Sequence, residues 1–278
     1  MNIENAIKKA SRILKSHNIN SYELDAQIIL SDIMRVKRES FITNSEINVP
    51  EKIAEKYDRA IRRRINREPV AYITGKKEFW SEDFYVNKGT LIPRPETELL
   101  IYKVVNFFKN KKINILDIGT GSGCILLSIL KELPLSRGTG IDISAKAIKT
   151  AKANAKKFNL SNRSKFRIFD LKKYKTGKHD LIISNPPYIP SREIKNLSKD
   201  IINYEPRVAL NGGIDGLDLI RKIINISNCL LKKNGLLVIE IGFSQYRKVS
   251  AIMRKYGYRE ISKEYDYNHN VRCIISTK

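Results

Sequence analysis

Five consecutive residues, Ser184-Asn185-Pro186-Pro187-Tyr188, combine the types needed to hold a flat NH2 group. Asn185 offers a side-chain carbonyl oxygen as an acceptor. Pro186 and Pro187 have no backbone N–H, so the main chain here presents carbonyls with few competing donors. Pro187 also restricts Pro186 to extended backbone, which fixes where the Pro186 carbonyl points. Tyr188 supplies a ring that can lie against a planar group, with a hydroxyl at its rim. Two acceptors and a ring form a slot for an amide or an aromatic amine. The run Leu181-Ile182-Ile183 before it reads as a buried parallel strand, and open α/β sheets bind ligands at the carboxyl ends of their strands. Pro-Pro pairs are also common in plain turns, so the weight of the motif depends on what precedes it.

A second chemical stretch does precede it. Asp117-Ile118-Gly119-Thr120-Gly121-Ser122-Gly123 links an apolar strand to a helix. Glycines there let the chain turn tightly and let a ligand approach the backbone. Asp142 ends the following strand, at the spacing where an acidic residue meets ribose hydroxyls in nucleotide-binding α/β domains. The dinucleotide fingerprint is G-x-G-x-x-G, whereas here Cys124 takes the third-glycine position, which argues against NAD. The loop resembles the first motif of class I methyltransferases that use S-adenosylmethionine. That resemblance implies cofactor contacts from Gly119, Thr120, Gly121, Ser122, Gly123 and Asp142. It also puts Asp170 and Leu171 near the adenine edge and Asn185 beside both cofactor and substrate. The bland alternatives are a tight strand-to-helix turn for the glycines and a cap or turn carboxylate for Asp170.

The elements that would position these groups follow from periodicity. Ile3, Ala6, Ile7, Ala10, Ile13 and Leu14 share one helical face. A second helix buries Tyr22, Ala26, Ile29, Leu30, Ile33 and Met34, with Asn20 or Ser21 as cap and Glu23 reaching back in a capping box. Pro50 suits the first turn of a third, whose core face is Ile53, Tyr57, Ala60, Ile61 and Ile65. Residues 1–76 thus read as a small helical bundle. Phe79-Trp80 and Phe84-Tyr85-Val86 read as a hairpin within a joint spanning 77–95, and Trp80 reads as packing. Glu96 and Glu98 suit the first turn of the next helix. From Ile113 onward strands and helices alternate: strands at 113–118, 140–143, 165–169, 181–184 and 236–240, helices at 122–131, 145–158, 217–231 and 245–256, a long loop before residue 217, and a closing hairpin at 260–265 and 271–276. This alternation predicts a mostly parallel sheet covered by helices over 96–278, an α/β class fold.

Composition narrows the class. The 278 residues suffice for two domains, and 42% hydrophobic with 29% charged content fits a globular protein. No apolar run approaches the roughly 20 residues of a membrane span, and the N-terminal stretch lacks the pattern of a signal peptide. Cys124, Cys229 and Cys273 show no metal-ligand spacing and read as reduced thiols of a cytoplasmic protein. His17, His179 and His269 form no ligand cluster and read as surface residues, so no metal is expected. The net charge of +23, from 52 basic and 29 acidic residues, allows a polyanionic partner or an acidic protein surface. Lysine spread over nearly every segment fits a general compositional bias equally well. The densest basic cluster, Arg62-Arg63-Arg64 with Arg59 and Arg67, reads as a solvated helix face.

Taken in order, the glycine loop, Asp142 and Asn185-Pro186-Pro187-Tyr188 make the chain similar to the HemK-like release-factor glutamine methyltransferases. Further matching stretches are Pro69 to Gly75, Phe79-Trp80, Leu91 to Glu98, Tyr204-Glu205-Pro206 with Ala209-Leu210, and Gly212-Gly213 with Asp215-Gly216-Leu217. Members often carry an aromatic residue where this chain has Leu171. The resemblance implies a class I, Rossmann-like methyltransferase domain and an N-terminal helical domain that recognises class I release factors. It implies S-adenosylmethionine as methyl donor and the glutamine of the Gly-Gly-Gln loop as acceptor, giving N5-methylglutamine. Asn185, Pro186 and Tyr188 would be catalytic, with Pro187 also lining the substrate slot. A monomer is expected, with nucleic-acid binding allowed but not required. Adenine also presents a planar NH2, so an N6-adenine methyltransferase acting on DNA or RNA is the rival enzyme. A basic adaptor on a degenerate nucleotide fold is the non-enzymatic rival.

Overall fold

The computed structural model describes residues 1–171 and 177–278, and the chain divides into two compact units. The first comprises Met1–Lys76 with Ser198–Tyr204. Its helices are α1 (Ile3–Ser16), α2 (Tyr22–Met34), α3 (Ser40–Thr43), α4 (Glu51–Ile65) and α5 (Val70–Thr74), with α9 (Lys199–Tyr204) added from later in the chain. The apolar stripes converge as their spacing requires: Ala6, Ala10, Leu14, Ala26, Ile29, Leu30, Tyr57 and Ile61 form one core. The Tyr57 hydroxyl donates to the Ala26 carbonyl at 2.9 Å, which satisfies its polar end inside that core.

Two expectations about this unit need correction. Ser21 does precede α2, but it caps no backbone N–H; its hydroxyl donates to Asp25 Oδ2 instead, so no capping box forms. The basic run on α4 is not wholly a solvated face. Arg64 is buried, donating through Nε to Asp25 Oδ2 (2.6 Å) and through Nη1 to Asp200 Oδ2 (2.7 Å), and Arg63 pairs with Glu68. Asp25 is equally buried.

The second unit is built on a seven-stranded sheet. Its strands are β3 (Asn114–Ile118), β4 (Arg137–Asp142), β5 (Ser164–Ile168), β6 (His179–Ser184), β7 (Leu231–Glu240), β8 (Arg259–Tyr265) and β9 (Val271–Thr277), in the order β5-β4-β3-β6-β7-β9-β8. The first five in that order are parallel. β9 runs antiparallel beside β7, and β8 closes the edge. Side chains alternate between two cores. Ile115, Leu181, Ile183, Leu236, Val238 and Ile275 face the side covered by α6 (Glu98–Phe108), α7 (Cys124–Glu132) and α8 (Ala145–Lys157). Leu116, Ile182, Leu237, Ile239 and Ile274 face α10 (Asp218–Leu230) and α11 (Tyr246–Lys255). Burial on both faces is why residues 181–183 of β6 and 236–239 of β7 read as unbroken apolar runs. His179, at the start of β6, is buried within this sheet and not on the surface.

The joint before the sheet is a true hairpin, β1 (Lys76–Phe79) and β2 (Glu82–Tyr85), turned by Trp80 and Ser81 at φ 51° and 58°. Phe79, Phe84 and Phe158 stack edge to face, with centroids 6.0 and 4.8 Å apart, and Trp80 packs against the same core. The stretch 190–216, read as loop, contains short helical turns, including α9. Among the described residues no helix is long and apolar enough to cross a membrane.

The Arg64 contacts generate a test. Arg64→Met should leave Asp25 charged and unpaired in the first unit, a loss of about 3–5 kcal/mol, read as a lowered urea midpoint for the chain; an unchanged midpoint would show that the pair adds nothing.

Candidate active site

Parallel register brings the chemical groups to one level. Phe166, Gly140, Asp117, Ile183 and Val238 are aligned partners across five strands. Two residues further along each strand direction lie Ile168, Asp142, Gly119, Asn185 and Glu240. The sheet order reverses between β3 and β6, so Gly119 and Asn185 flank the switch point where open α/β sheets hold ligands.

A cavity of about 480 Å3 opens there. Gly119, Gly121, Asp142, Asp170, Leu171, Asn185 and Pro187 all line it. Thr120, Ser122 and Gly123 do not; they shape the loop from behind. Gly119, Gly121 and Gly123 sit at φ +74°, +55° and +80°, a left-handed run that glycine adopts without strain. Thr120 donates to Asp117 Oδ2 at 2.6 Å beneath the turn, while Asp117 Oδ1 is buried without a hydrogen-bond partner. Burial pushes the Asp117 carboxyl up to about 7, against the Thr120 hydrogen bond. Asp142 accepts from Gly121 N (3.0 Å) and Ser144 N (2.9 Å), which ties the second strand's acid to the glycine loop; burial still raises its carboxyl above the usual range.

Several residues of this site were not singled out from the sequence. Asn154 on α8 is fully buried; its Nδ2 donates to Tyr85 O and Ser122 O, and its Oδ1 accepts from Tyr85 N. One amide thus pins the hairpin and the glycine loop to one helix. Phe169 lines the cavity two residues before Leu171, so an aromatic face is present at a displaced position. Arg94 and Ile92 N both bond to buried Glu205, which ties the stretch around 91–98 to the one around 204–210.

The motif after β6 is held from several sides. Ser184 Oγ donates to Ile118 O at 2.7 Å, locking the two strand ends. Gln245 Nε2 donates to Tyr188 O at 2.8 Å and its Oε1 accepts from Gly242 N. Asn185 Nδ2 donates to Thr97 Oγ1 at 3.1 Å, and Thr97 Oγ1 donates to Glu240 Oε2 at 2.7 Å. Tyr188, expected to lay its ring against the substrate amide, directs its hydroxyl to Glu240 Oε1 at 3.3 Å, and its ring packs on the core beside α10 and α11. Pro186 is buried, and neither it nor Tyr188 lines the cavity. Burial raises the Tyr188 hydroxyl above its ordinary value. Burial likewise pushes Glu240 up to about 7, opposed by the two hydroxyl donors and by Arg272, while Glu96 adds to the rise. Glu240 carried a signal in the sequence: it ends an apolar run with an acid, as Asp142 does.

Among the described residues no group of His, Cys, Asp and Glu could hold a metal ion. The three cysteines are free, and burial raises the Cys124 thiol to about 12, so it supplies no thiolate here.

The chain is similar to known proteins over nearly its whole length. A family profile described as PrmC N-terminal domain matches residues 5–75, and one described as methyltransferase small domain matches residues 95–265. A release factor glutamine methyltransferase of Clostridium acetobutylicum is 39% identical over 282 residues, covering 100% of this chain and 99% of that protein. One of Buchnera aphidicola is 40% identical over the full length of both. A bifunctional methyltransferase of Rickettsia typhi is 38% identical over 92% of this chain, which spans 53% of that longer protein. Among solved structures, a methyltransferase of Pyrococcus furiosus aligns with TM-score 0.54 at 16% identity, over 70% of this chain and 88% of that one. The 16S rRNA N2 G1207 methyltransferase of T. thermophilus, in complex with AdoMet and guanosine, aligns with TM-score 0.52 at 13% identity, over 73% and 49%. At these identities the two structures speak for the fold alone.

Glu240 titration gives a test with a definite sign. Its folded value, about 7, lies above the ordinary 4.5, so the folded state holds the proton more tightly and stability is lost as pH rises through that window. Glu240→Gln removes this titration. Its melting temperature relative to the parent should therefore climb between pH 4.5 and 7 and level off above; a pH-independent difference would contradict the burial described.

Proposed function

The chain belongs to the release factor glutamine methyltransferases, and from that premise we propose how its site transfers a methyl group from S-adenosylmethionine to the side-chain amide nitrogen (N5) of the glutamine in the Gly-Gly-Gln loop of a class I release factor. The observation that carries the reading is that Asn185 and Pro187 line the same cavity as Gly119, Gly121 and Asp142. A slot for an NH2 group and a nucleotide-type loop therefore open onto one space.

The residues present suit S-adenosylmethionine. The Asp142 carboxylate has lone pairs beyond those taken by Gly121 and Ser144, as vicinal ribose hydroxyls require. Phe169, Leu171 and Ile143 provide apolar surface for a purine, with Asp170 at its edge. The glycine loop allows close backbone approach, and the buried, unpartnered Asp117 Oδ1 lies under it. A cavity near 480 Å3 falls in the range of small-molecule sites. When bound, this group supplies an electrophilic methyl carried on a sulfonium.

The protein's own contribution follows from the nitrogen's chemistry. An amide nitrogen is a weak nucleophile because its lone pair is delocalised into the carbonyl. Asn185 Oδ1 accepts an N–H of this amide and so favours the positive charge that develops on nitrogen, a hydrogen bond that strengthens in the transition state. Pro187 leaves this wall without a competing donor. Tyr188, anchored through Glu240 and Gln245, holds the segment in place from behind. The proton leaves to water after the methyl has moved.

The helical unit is the part we assign to release-factor recognition, matching the profile over residues 5–75. The free cysteines fit a reducing cytoplasm, and we expect a monomer. The adenine reading shares the slot but draws no support from the full-length relatives, whose names specify glutamine.

Purified chain with labelled S-adenosylmethionine and release factor should produce N5-methylglutamine. Asn185→Ala should lower kcat by about a thousandfold, the scale of a removed transition-state acceptor or donor, with cofactor affinity within a few-fold by calorimetry. Asp142→Ala should show the opposite pattern, weak cofactor binding first. Full activity in Asn185→Ala would sink the mechanism.

A further inference from the structure

A glutamine side chain ends in an oxygen and an NH2 of nearly equal size, so the shape of a slot cannot tell them apart. Only the polarity of the slot can. Asn185 has the same ambiguity: turned by 180° about its terminal bond, it would offer the cavity two donors in place of an acceptor. Something must fix which end faces the ligand.

The hydrogen bonds behind Asn185 do so. The Thr97 hydroxyl has one proton, and the ionised Glu240, with Oε2 2.7 Å away, is the acceptor that takes it. Towards Asn185, Thr97 Oγ1 therefore has only lone pairs. Asn185 Nδ2, at 3.1 Å, is the end of the amide that fits there, which leaves Oδ1 for the cavity. The reversed amide would set two acceptor oxygens against each other in a place where water cannot relieve them, since Thr97 and Glu240 are each about 2% exposed. Glu240 is itself held: the Tyr188 hydroxyl reaches its other oxygen, and its strand position is fixed between β6 and β9.

Resting on the proposed reading of the site, we propose that Thr97 and Glu240 are positioning residues that lock the Asn185 amide with Oδ1 towards the substrate, and so make the slot select the nitrogen of the glutamine amide over its oxygen. Neither residue touches the substrate. Their effect is to remove the non-productive, reversed pose and the equivalent pose of a glutamate.

The test is Thr97→Val, which keeps shape and removes both hydrogen bonds, with Thr97→Ser as the variant that restores them. Thr97→Val should lose about tenfold in kcat, the worth of one to two hydrogen bonds, with KM for release factor and cofactor affinity within about threefold. Thr97→Ser should recover most of the loss. The decisive readout is discrimination, using a release factor whose loop glutamine is replaced by glutamate as inhibitor. The parent should bind it weakly, and Thr97→Val should bind it about tenfold more tightly, because the freed Asn185 can turn its NH2 to the carboxylate. Unchanged kcat and unchanged discrimination in Thr97→Val overturn the lock, as does a Thr97→Ser variant no better than Thr97→Val. A parent enzyme that leaves the release-factor glutamine unmodified overturns the functional reading, and the lock with it.

Discussion

Five parallel strands in fixed register set the terms for everything else in this protein. Because Asp117, Gly140, Phe166, Ile183 and Val238 are mutually aligned, the residues two steps beyond them emerge together at the carboxyl edge of the sheet. A slip of one residue in β6 would turn Asn185 to the opposite face and exchange the two hydrophobic cores. The double core enforces the register: Leu181 and Ile183 pack on one side, Ile182 on the other, and all three are fully buried. Packing thus fixes the place of a polar side chain that contributes nothing to packing itself.

Around that row the structure tolerates groups that a purely structural interior would avoid. Asp117 and Glu240 are carboxylates inside the sheet edge, and burial holds both near 7. Each has a threonine hydroxyl directed at it, Thr120 and Thr97. Placing such groups in a low-dielectric setting costs stability, and it strengthens the orienting effect of every dipole nearby. Local rules of stability are commonly broken where a site must be organised. Here both carboxylates lie at the carboxyl edge of the sheet, beside the cavity.

Much of this was legible in the residue order. The alternation of strands and helices gave the sheet, the glycine run with Asp142 gave one wall of the cavity, and Asn185 with Pro187 gave another. What remained hidden depends on contacts across many residues. Thr97 meets Asn185 from 88 positions away, and Glu240 meets Thr97 from 143. No periodicity encodes such meetings. Tyr188 was read as a wall of the slot because it follows Asn185 and the two prolines directly, whereas its hydroxyl meets Glu240, 52 positions away, and its ring packs on the core. The charge run on α4 misled for a related reason: helical spacing does not reveal that Arg64 has Asp25 as an internal partner. Thr120, Ser122 and Gly123 belong to the loop without reaching the cavity, a distinction that motif matching does not make.

Protein glutamine and nucleic-acid adenine present the same planar NH2 to the same slot, so the central claim is one of acceptor identity. The direct measurement is a competition: purified chain, heavy-methyl S-adenosylmethionine, release factor and an adenine-containing oligonucleotide in one reaction, with the label located by mass spectrometry. The account predicts heavy methyl on the side-chain nitrogen of the Gly-Gly-Gln glutamine and none on the oligonucleotide. Label on adenine N6 with an unmodified release-factor loop would contradict it.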